Sequence, residues 1–332
     1  LDQAIKLEPA NQLALTMRGM ALADLKESDR AIADFDQVIK LNPKSAAALT
    51  GRGRIWLSKG DPARALADIE QAIKLDPNDV FALNSRGVAR LDQGDEDGAI
   101  RDFDQAIKIN PRSAQAYAGR GSAYFNKDDP DRAIRDMDQA LALDPGLAVA
   151  LARRGGAFVK KGDHDRAIQD LEAALKLEPK DTTALYWMGR ARYLKKDYDK
   201  AIAALDEAIR LKPGYAAPYA MLGFAYYAKD DYARAAAAFD QSLKLDPKTA
   251  GLRLYRGISR FETRDDDGAI ADFTEVLAHD PKSFSAAYNR GRAYHRKRDF
   301  EHALADYNRA VEIEPAHADA LLNRGIVRRT LG

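Results

Sequence analysis

Apolar residues recur along the chain at the spacing of amphipathic helices. Ile100, Phe103 and Ile107, for example, lie three and four residues apart, on one face of a helix. The helical pattern stops at prolines that follow one another every 34 residues: Pro9, Pro43, Pro77, Pro111, Pro145, Pro179, Pro213, Pro247, Pro281 and Pro315. Each proline ends a helix, because the residue before a proline is driven away from α geometry. A fixed period of this size indicates one helical unit copied many times.

The repeat unit is defined by numbering each copy so that its proline is position 32. Nine complete copies result, called repeats 1 to 9, with partial copies at 1–11 and 318–332: 12–45, 46–79, 80–113, 114–147, 148–181, 182–215, 216–249, 250–283 and 284–317. A short turn such as Lys59-Gly60-Asp61 divides a copy into two helical stretches. We therefore predict an all-α fold, an α-solenoid in which helix–turn–helix units form a single array over residues 1–332.

Small residues recur at one position of each predicted helix. Position 8 is glycine in every copy: Gly19, Gly53, Gly87, Gly121, Gly155, Gly189, Gly223, Gly257, Gly291 and Gly325. Position 20 is alanine in every complete repeat: Ala31, Ala65, Ala99, Ala133, Ala167, Ala201, Ala235, Ala269 and Ala303. A glycine inside a helix costs up to about 1 kcal/mol relative to alanine, so its recurrence needs a packing reason. We expect the two helices of each repeat to cross closely at these residues.

The pattern as a whole resembles the tetratricopeptide repeat. A small residue at position 8, alanine at 20, a large apolar residue at 24 and proline at 32 recur over the entire chain. The resemblance implies a right-handed superhelix whose first helices line a concave groove. It also implies a non-enzymatic scaffold that binds a peptide or a helix of a protein partner in that groove. The alternative is the regulatory or substrate-recruiting arm of a larger enzyme whose catalytic domain lies outside this chain.

Arginine at position 7 and aspartate at position 23 are both replaced in the same two repeats. Position 7, usually leucine in the family that the chain resembles, is arginine in seven repeats and Met188 and Leu222 in the other two. Position 23 is aspartate in the same seven repeats, and Ala204 and Ala238 in the same two. Removing one partner of a buried ion pair costs about 3–5 kcal/mol, whereas replacing both with apolar groups can be nearly neutral. We therefore predict an Arg–Asp bridge between the two helices of a repeat; arginines that line a binding surface are the alternative.

Bulky side chains cluster at the groove positions of repeats 6 to 8. The resemblance places positions 2, 5, 6, 9, 12 and 13 toward the groove, and in repeats 3 to 5 these are mostly small, as in Ser85, Ala118 and Gly119. In repeats 6 to 8 they become large side chains of the kind that anchor partners: Tyr186, Trp187, Tyr193, Met221, Phe224, Tyr227 and Tyr255. Core filling between repeats is the alternative, above all for Tyr227 and Phe261.

Basic residues lie beside this aromatic segment. Arg190, Arg292, His295 and Arg296 occupy groove positions, and they suit an anionic ligand or a terminal carboxylate. A solvated charged face is the alternative. The carboxylate clamp of chaperone-binding family members is doubtful here, because position 9 is never asparagine.

Composition argues against several other classes of function. The 52 basic and 51 acidic side chains nearly cancel, which argues against general binding to nucleic acid or to an anionic membrane. There is no cysteine, so disulfides, thiol catalysis and thiolate metal sites are excluded. The five histidines form no metal-binding pair, and no phosphate-binding glycine loop occurs. No apolar stretch approaches the roughly 18 residues of a membrane span. We expect no enzyme activity, no cofactor and no metal, and a soluble chain for which the cytoplasm is the favoured compartment.

The two partial copies are complementary halves of one repeat. Residues 1–8 form a lone second helix with Leu1 and Leu7, and residues 318–331 form a lone first helix with Leu322. Repeat arrays need polar caps, because their terminal faces are otherwise exposed core. One hypothesis is head-to-tail contact between molecules. A chain that is a fragment of a longer array is the alternative.

Overall fold

A computed structural model describes residues 1–249 and 251–332, and within them the regular structure is entirely α-helical. The helices fall into two compact units, residues 1–163 and 164–332. The first unit contains α1 (Asp2–Leu7), α2 (Gln12–Asp24), α3 (Ser28–Leu41), α4 (Ala46–Ser58), α5 (Pro62–Leu75), α6 (Val80–Asp92), α7 (Glu96–Ile109), α8 (Ala114–Asn126), α9 (Pro130–Leu143) and α10 (Ala148–Lys161). The second contains α11 (His164–Leu177), α12 (Thr182–Leu194), α13 (Tyr198–Leu211), α14 (Ala216–Tyr227), α15 (Tyr232–Leu245), α16 (Gly251–Glu262), α17 (Asp266–His279), α18 (Phe284–Arg296), α19 (Phe300–Ile313) and α20 (Ala318–Leu331).

The predicted helix–turn–helix units are confirmed. In repeat 1, α2 and α3 are joined by a short turn and pack against each other. The second helix stops where its proline requires: Asn42, just before Pro43, is extended, with φ −142° and ψ 92°. Many helix starts are fixed by an aspartate cap, as in α5, where the side chain of Asp61 accepts a hydrogen bond from the backbone N–H of Arg64.

The turn inside each repeat contains a residue with left-handed backbone geometry. Position 15 has a φ between 58° and 81° in all nine repeats, a region that favours glycine. Glycine occupies it as Gly60, Gly94 and Gly162, whereas the other residues there are Lys26, Asp128, Lys196, Asp230, Arg264 and Arg298. The packed helix pair therefore imposes this geometry even where the residue itself disfavours it.

The recurrent small residues lie where the two helices of a repeat cross, as predicted. The position-20 alanines are all fully buried. A Cβ built on Gly53 would lie 2.7 Å from Ile69 Cγ1 and 3.1 Å from the carbonyl oxygen of Ala65. The position-24 side chain thus occupies the space that a position-8 side chain would need. Gly325 on α20 differs from Gly53, because nothing lies within 4 Å of a Cβ built there.

The predicted Arg–Asp bridges are confirmed in six repeats. Arg120 Nε and Nη2 donate to the two carboxylate oxygens of Asp136 at 2.8 and 2.7 Å, and Asp136 is buried. The same bridge joins the helices of five other repeats: Arg18–Asp34, Arg52–Asp68, Arg86–Asp102, Arg256–Asp272 and Arg290–Asp306. These arginines are therefore committed to the fold, and they do not form the binding surface considered as the alternative.

Charged side chains also join successive repeats. Arg120 Nη1 donates to Asp104 of the preceding repeat at 2.6 Å, so one guanidinium links three helices. Lys127 lies 2.9 Å from Asp97 of the preceding repeat. Equivalent Lys–Asp pairs recur at five other places: Lys59–Asp29, Lys161–Asp131, Lys195–Asp165, Lys229–Asp199 and Lys297–Asp267. These contacts help to hold neighbouring repeats in register.

Candidate partner-binding surface

Three of the predicted contact residues meet on the first helices of repeats 7 and 8. Phe224 and Tyr227 on α14 contact Tyr255 on α16, with ring centroids 4.9 and 5.7 Å apart and edge-to-face geometry. Tyr255 exposes 37% of its surface, and the other two are half-buried. Phe224 also packs edge to face on the fully buried ring of Phe239, at a centroid distance of 5.1 Å. The exposed ring is therefore anchored to the core beneath it.

Tyr193 on α12 lies within electrostatic reach of Tyr255, and its own ring contact is with Tyr198, at a centroid distance of 5.7 Å. We call Tyr193, Phe224, Tyr227 and Tyr255 the Tyr255 patch. Burial raises the pKa of Tyr193 and of Tyr227 above the ordinary phenol value, and neighbouring phenols, Tyr255 among them, raise both further. These two hydroxyls therefore stay protonated at neutral pH and can donate hydrogen bonds. Rings with a polar tip combine a large apolar contact area with a directional bond.

Trp187 lies in the core, unlike the exposed ring of Tyr255. It exposes only 7% of its surface, its ring centroid is 5.1 Å from that of Tyr186, and the Arg190 guanidinium lies 5.2 Å from the Trp187 centroid. Tyr186 and Met221 are half-buried and pack against the core of the second unit. A partner could reach little of Trp187. The core-filling interpretation also describes Phe261, which is buried.

The predicted basic residues of repeat 9 surround a small cleft of about 310 Å³, lined by Phe261, Arg292, His295, Arg296, Tyr307 and Asn323. Arg296 is bonded to the carboxylate of Asp266. Arg292 donates to Asn289 at 2.9 Å and lies 3.7 Å from Glu262. Both guanidinium groups thus have partners within the unit, which favours a compensated charged face over an anion site.

Larger open clefts lie in the first unit. Two clefts of about 590 and 480 Å³ share Arg54 as a lining residue. The cleft of 480 Å³ is lined in part by Ser85, Ala118 and Gly119. A Cβ on Gly119 would lie 2.4 Å from the ring of Phe103, so a larger residue would displace that ring. The sequence pattern did not predict these clefts, although the small residues at the groove positions of repeats 3 to 5 were a signal for the cleft of 480 Å³.

Histidine is the side chain that most often serves in general acid–base catalysis. The histidines are His164, His279, His295, His302 and His317, at unrelated repeat positions. Across residues 1–249 and 251–332, no cluster of acidic, histidine or cysteine side chains is arranged to hold a metal ion. In the same residues, no helix combines the length and the apolar character needed to cross a membrane.

Comparisons with known proteins agree with the repeat pattern. Models of the tetratricopeptide repeat match residues 16–80, 84–148, 152–216, 221–283 and 285–317. A comparison with curated protein sequences finds no match. Among solved structures, the APC/C hetero-tetramer Cut9–Hcn1 matches with a TM-score of 0.61 and 15% identity, over 94% of this chain and 75% of that one.

Two bacterial structures share the fold at similarly low identity. A tetratricopeptide repeat protein from Parabacteroides merdae is 17% identical, with a TM-score of 0.54 over 75% of this chain and 98% of that one. The pilF protein of Pseudomonas aeruginosa is 21% identical, with a TM-score of 0.56 over 62% and 94%. The chain therefore belongs to the tetratricopeptide repeat family, whose repeats generally serve as scaffolds for protein–protein interaction.

Proposed function

We propose that this chain is a non-enzymatic scaffold that binds a peptide or a helix of a protein partner on the first helices of its second unit. The observation that carries the proposal is the Tyr255 patch, in which Phe224 and Tyr227 hold an exposed ring edge to face. A ring held in this way loses little conformational freedom on binding, and tyrosine is frequent among the residues that dominate binding energy. The protonated hydroxyls of Tyr193 and Tyr227 add directional donors at the rim.

The test is capture of partners from the native extract by the immobilised parent chain and two variants. Tyr255→Ala removes the exposed ring and leaves the Phe224–Phe239 contact in place, so the fold should persist, as circular dichroism would show. Tyr219→Ala is the matched control, because Tyr219 is a half-buried tyrosine of α14 outside the patch. A partner identified by mass spectrometry, kept by the control and lost by Tyr255→Ala, supports the proposal. A partner retained equally by both variants would refute the assignment to the patch.

A second contact, between copies of the chain, is proposed for the exposed leucines of the end helices. Leu7 on α1 exposes 88% of its surface, and Leu322 on α20 exposes 62%. The second-helix half of one molecule and the first-helix half of another would complete one repeat, a head-to-tail contact that can propagate. Analytical ultracentrifugation over a concentration series tests this contact. Sedimentation independent of concentration rules it out, and self-association abolished by Leu322→Asp supports it.

A further inference from the structure

We propose that the first unit holds a separate site for an extended polypeptide segment, in the cleft of about 480 Å³ lined by α4, α6, α8 and α10. The inference rests on the proposed function, because it specifies a ligand for the same kind of scaffold. It uses a different unit and different residues from the Tyr255 patch, so the two can fail independently. The volume lies within the range of clefts that bind small ligands or single segments of a partner.

The cleft combines apolar walls with a floor that only glycine permits. Val88 on α6 and Val149 on α10 are both exposed large apolar residues and both line it. Beneath Gly119, the ring of Phe103 closes the floor. Exposed aliphatic side chains in a concave site favour a ligand that covers them with an aliphatic side chain of its own.

Three carboxamide side chains, Asn84, Gln115 and Asn126, line the same cleft. Asn84 Oδ1 is buried without a hydrogen-bond partner among the described residues. The Nδ2 atom of Asn84 donates only a long bond, 3.5 Å to Ser113 Oγ. Gln115 and Asn126 make no side-chain hydrogen bond with any residue that the structure describes. The cleft thus presents carboxamide donors and acceptors that the fold itself does not use.

These carboxamides favour an extended ligand over a helical one. A carboxamide offers one acceptor and one donor group, which match the N–H and C=O of a peptide unit. A helical ligand already pairs those backbone groups internally, whereas an extended segment leaves them free. Asn84 lines the cleft, so a backbone N–H of a bound segment that donates to its Oδ1 would satisfy a buried acceptor.

Arg54 adds a local preference for an acidic side chain. It lines this cleft and the neighbouring one of about 590 Å³, is exposed, and has no carboxylate partner within the described ranges. Its guanidinium lies 6.0 Å from the ring centroid of the exposed Phe81. Asp92 and Arg153 also line the cleft, so the preference is confined to the surroundings of Arg54. The ligand is therefore an extended segment with an aliphatic side chain in the cleft and an acidic residue within reach of Arg54.

The experiment selects ligands from a random dodecapeptide library displayed on phage, with the full chain as the target. Enriched peptides are synthesised with a fluorescent label, and Kd is measured by anisotropy. Val88→Trp fills the cleft, and Asn84→Ala removes the carboxamide; each is expected to raise Kd about tenfold or more. Arg54→Glu should do the same for peptides that carry an acidic residue. Arg101→Glu is the matched control, because it makes the same change at an exposed arginine of α7, in the same unit, that lines neither cleft.

Backbone recognition is tested by methylating each amide nitrogen of an enriched peptide in turn. Methylation at one position should weaken binding to the parent and have little effect on binding to Asn84→Ala, a coupling that a helical ligand cannot produce beyond its first turn, where its N–H groups are paired internally. Failure to enrich peptides, binding unaffected by both Val88→Trp and Asn84→Ala, or helix formation by the bound peptide would each overturn the inference. Peptides that respond to Tyr255→Ala and not to the cleft variants would overturn it while upholding the proposed function.

Discussion

Removing the carboxylate of one Arg–Asp bridge should destabilise the protein more than replacing both partners of that bridge. Arg290–Asp306 is the best test case, because the third partner of Arg290 is a hydroxyl: Nη1 donates to Thr274 Oγ1 at 3.0 Å. Nε and Nη2 donate to the two oxygens of Asp306 at 2.8 and 2.7 Å. The side chain of Asp306 is 5% exposed, and that of Arg290 is 18% exposed. Asp306→Ala therefore leaves a mostly buried guanidinium without its counterion.

The expected magnitude follows from this partial burial. Breaking a fully buried ion pair costs about 3–5 kcal/mol, and residual access to water should reduce the cost for Asp306→Ala to about 2–3 kcal/mol. An arginine side chain keeps its proton in proteins, so the Arg290 guanidinium of the variant does not escape the cost by becoming neutral. Arg290→Met combined with Asp306→Ala copies the Met188/Ala204 pair of repeat 6 and should cost less than about 1 kcal/mol.

Urea denaturation of the parent, both single variants and the double variant forms a double-mutant cycle. Repeat arrays can unfold unit by unit, so hydrogen exchange in α18 and α19 provides a local measure of the same free energies. Arg290→Met leaves the buried carboxylate of Asp306 unpaired and should cost about as much as Asp306→Ala, so we expect a coupling energy of about 3–5 kcal/mol. A double variant as unstable as Asp306→Ala would refute the reasoning, because the loss would then come from packing and not from an unpaired charge.

Three further predictions concern single residues. Gly53→Ala places a methyl group 2.7 Å from Ile69 Cγ1, so overpacking of about 1–3 kcal/mol should outweigh a helix-propensity gain of about 1 kcal/mol. Gly325→Ala, with nothing within 4 Å, should instead raise the thermal denaturation midpoint. Hydrogen bonds from the backbone and side chain of Arg132 hold the pKa of Asp129 below its ordinary value of 3.8. The ionised carboxylate therefore stabilises the folded state at pH values above 3.8, and this contribution is lost as the pH falls through the lowered pKa of the folded state. Asp129→Asn keeps a capping oxygen, and its urea midpoint should lie below that of the parent at neutral pH and approach it in acid.

The architecture was predictable because the residues that define it recur at the same position in every copy of the repeat. Ten prolines and ten glycines at fixed positions define the helix ends and crossings without any outside comparison. The Arg–Asp bridge was visible only through its coordinated absence at Met188 and Ala204, and again at Leu222 and Ala238. The positive φ at position 15 could not be predicted for every repeat, because Lys196 adopts the same geometry as Gly60 although lysine does not indicate it.

The candidate site was less predictable, because exposure depends on what neighbouring repeats place beside a residue. Trp187 and Tyr255 both occupy position 6 of their repeats, yet 7% of Trp187 is exposed and 37% of Tyr255. At the same position, Gly119 marks a cleft. A repeat position therefore indicates which side of the array a residue faces, whereas its burial is set by side chains that are far away in sequence.

Burial also determines which aspartates must be replaced when a repeat loses its position-7 arginine. In the six repeats whose bridge is described, the position-7 arginine binds a buried aspartate of its own repeat, and in several it also binds a more exposed one in the repeat before, as Arg120 does with Asp136 and Asp104. Where Leu222 replaces the arginine, the buried position has become Ala238, yet the exposed Asp206 of the preceding repeat remains. Partial burial raises the pKa of Asp206, so some cost of the lost partner persists. Because water can still reach that carboxylate, the cost is tolerated there, whereas a buried carboxylate without its arginine would be strongly destabilising.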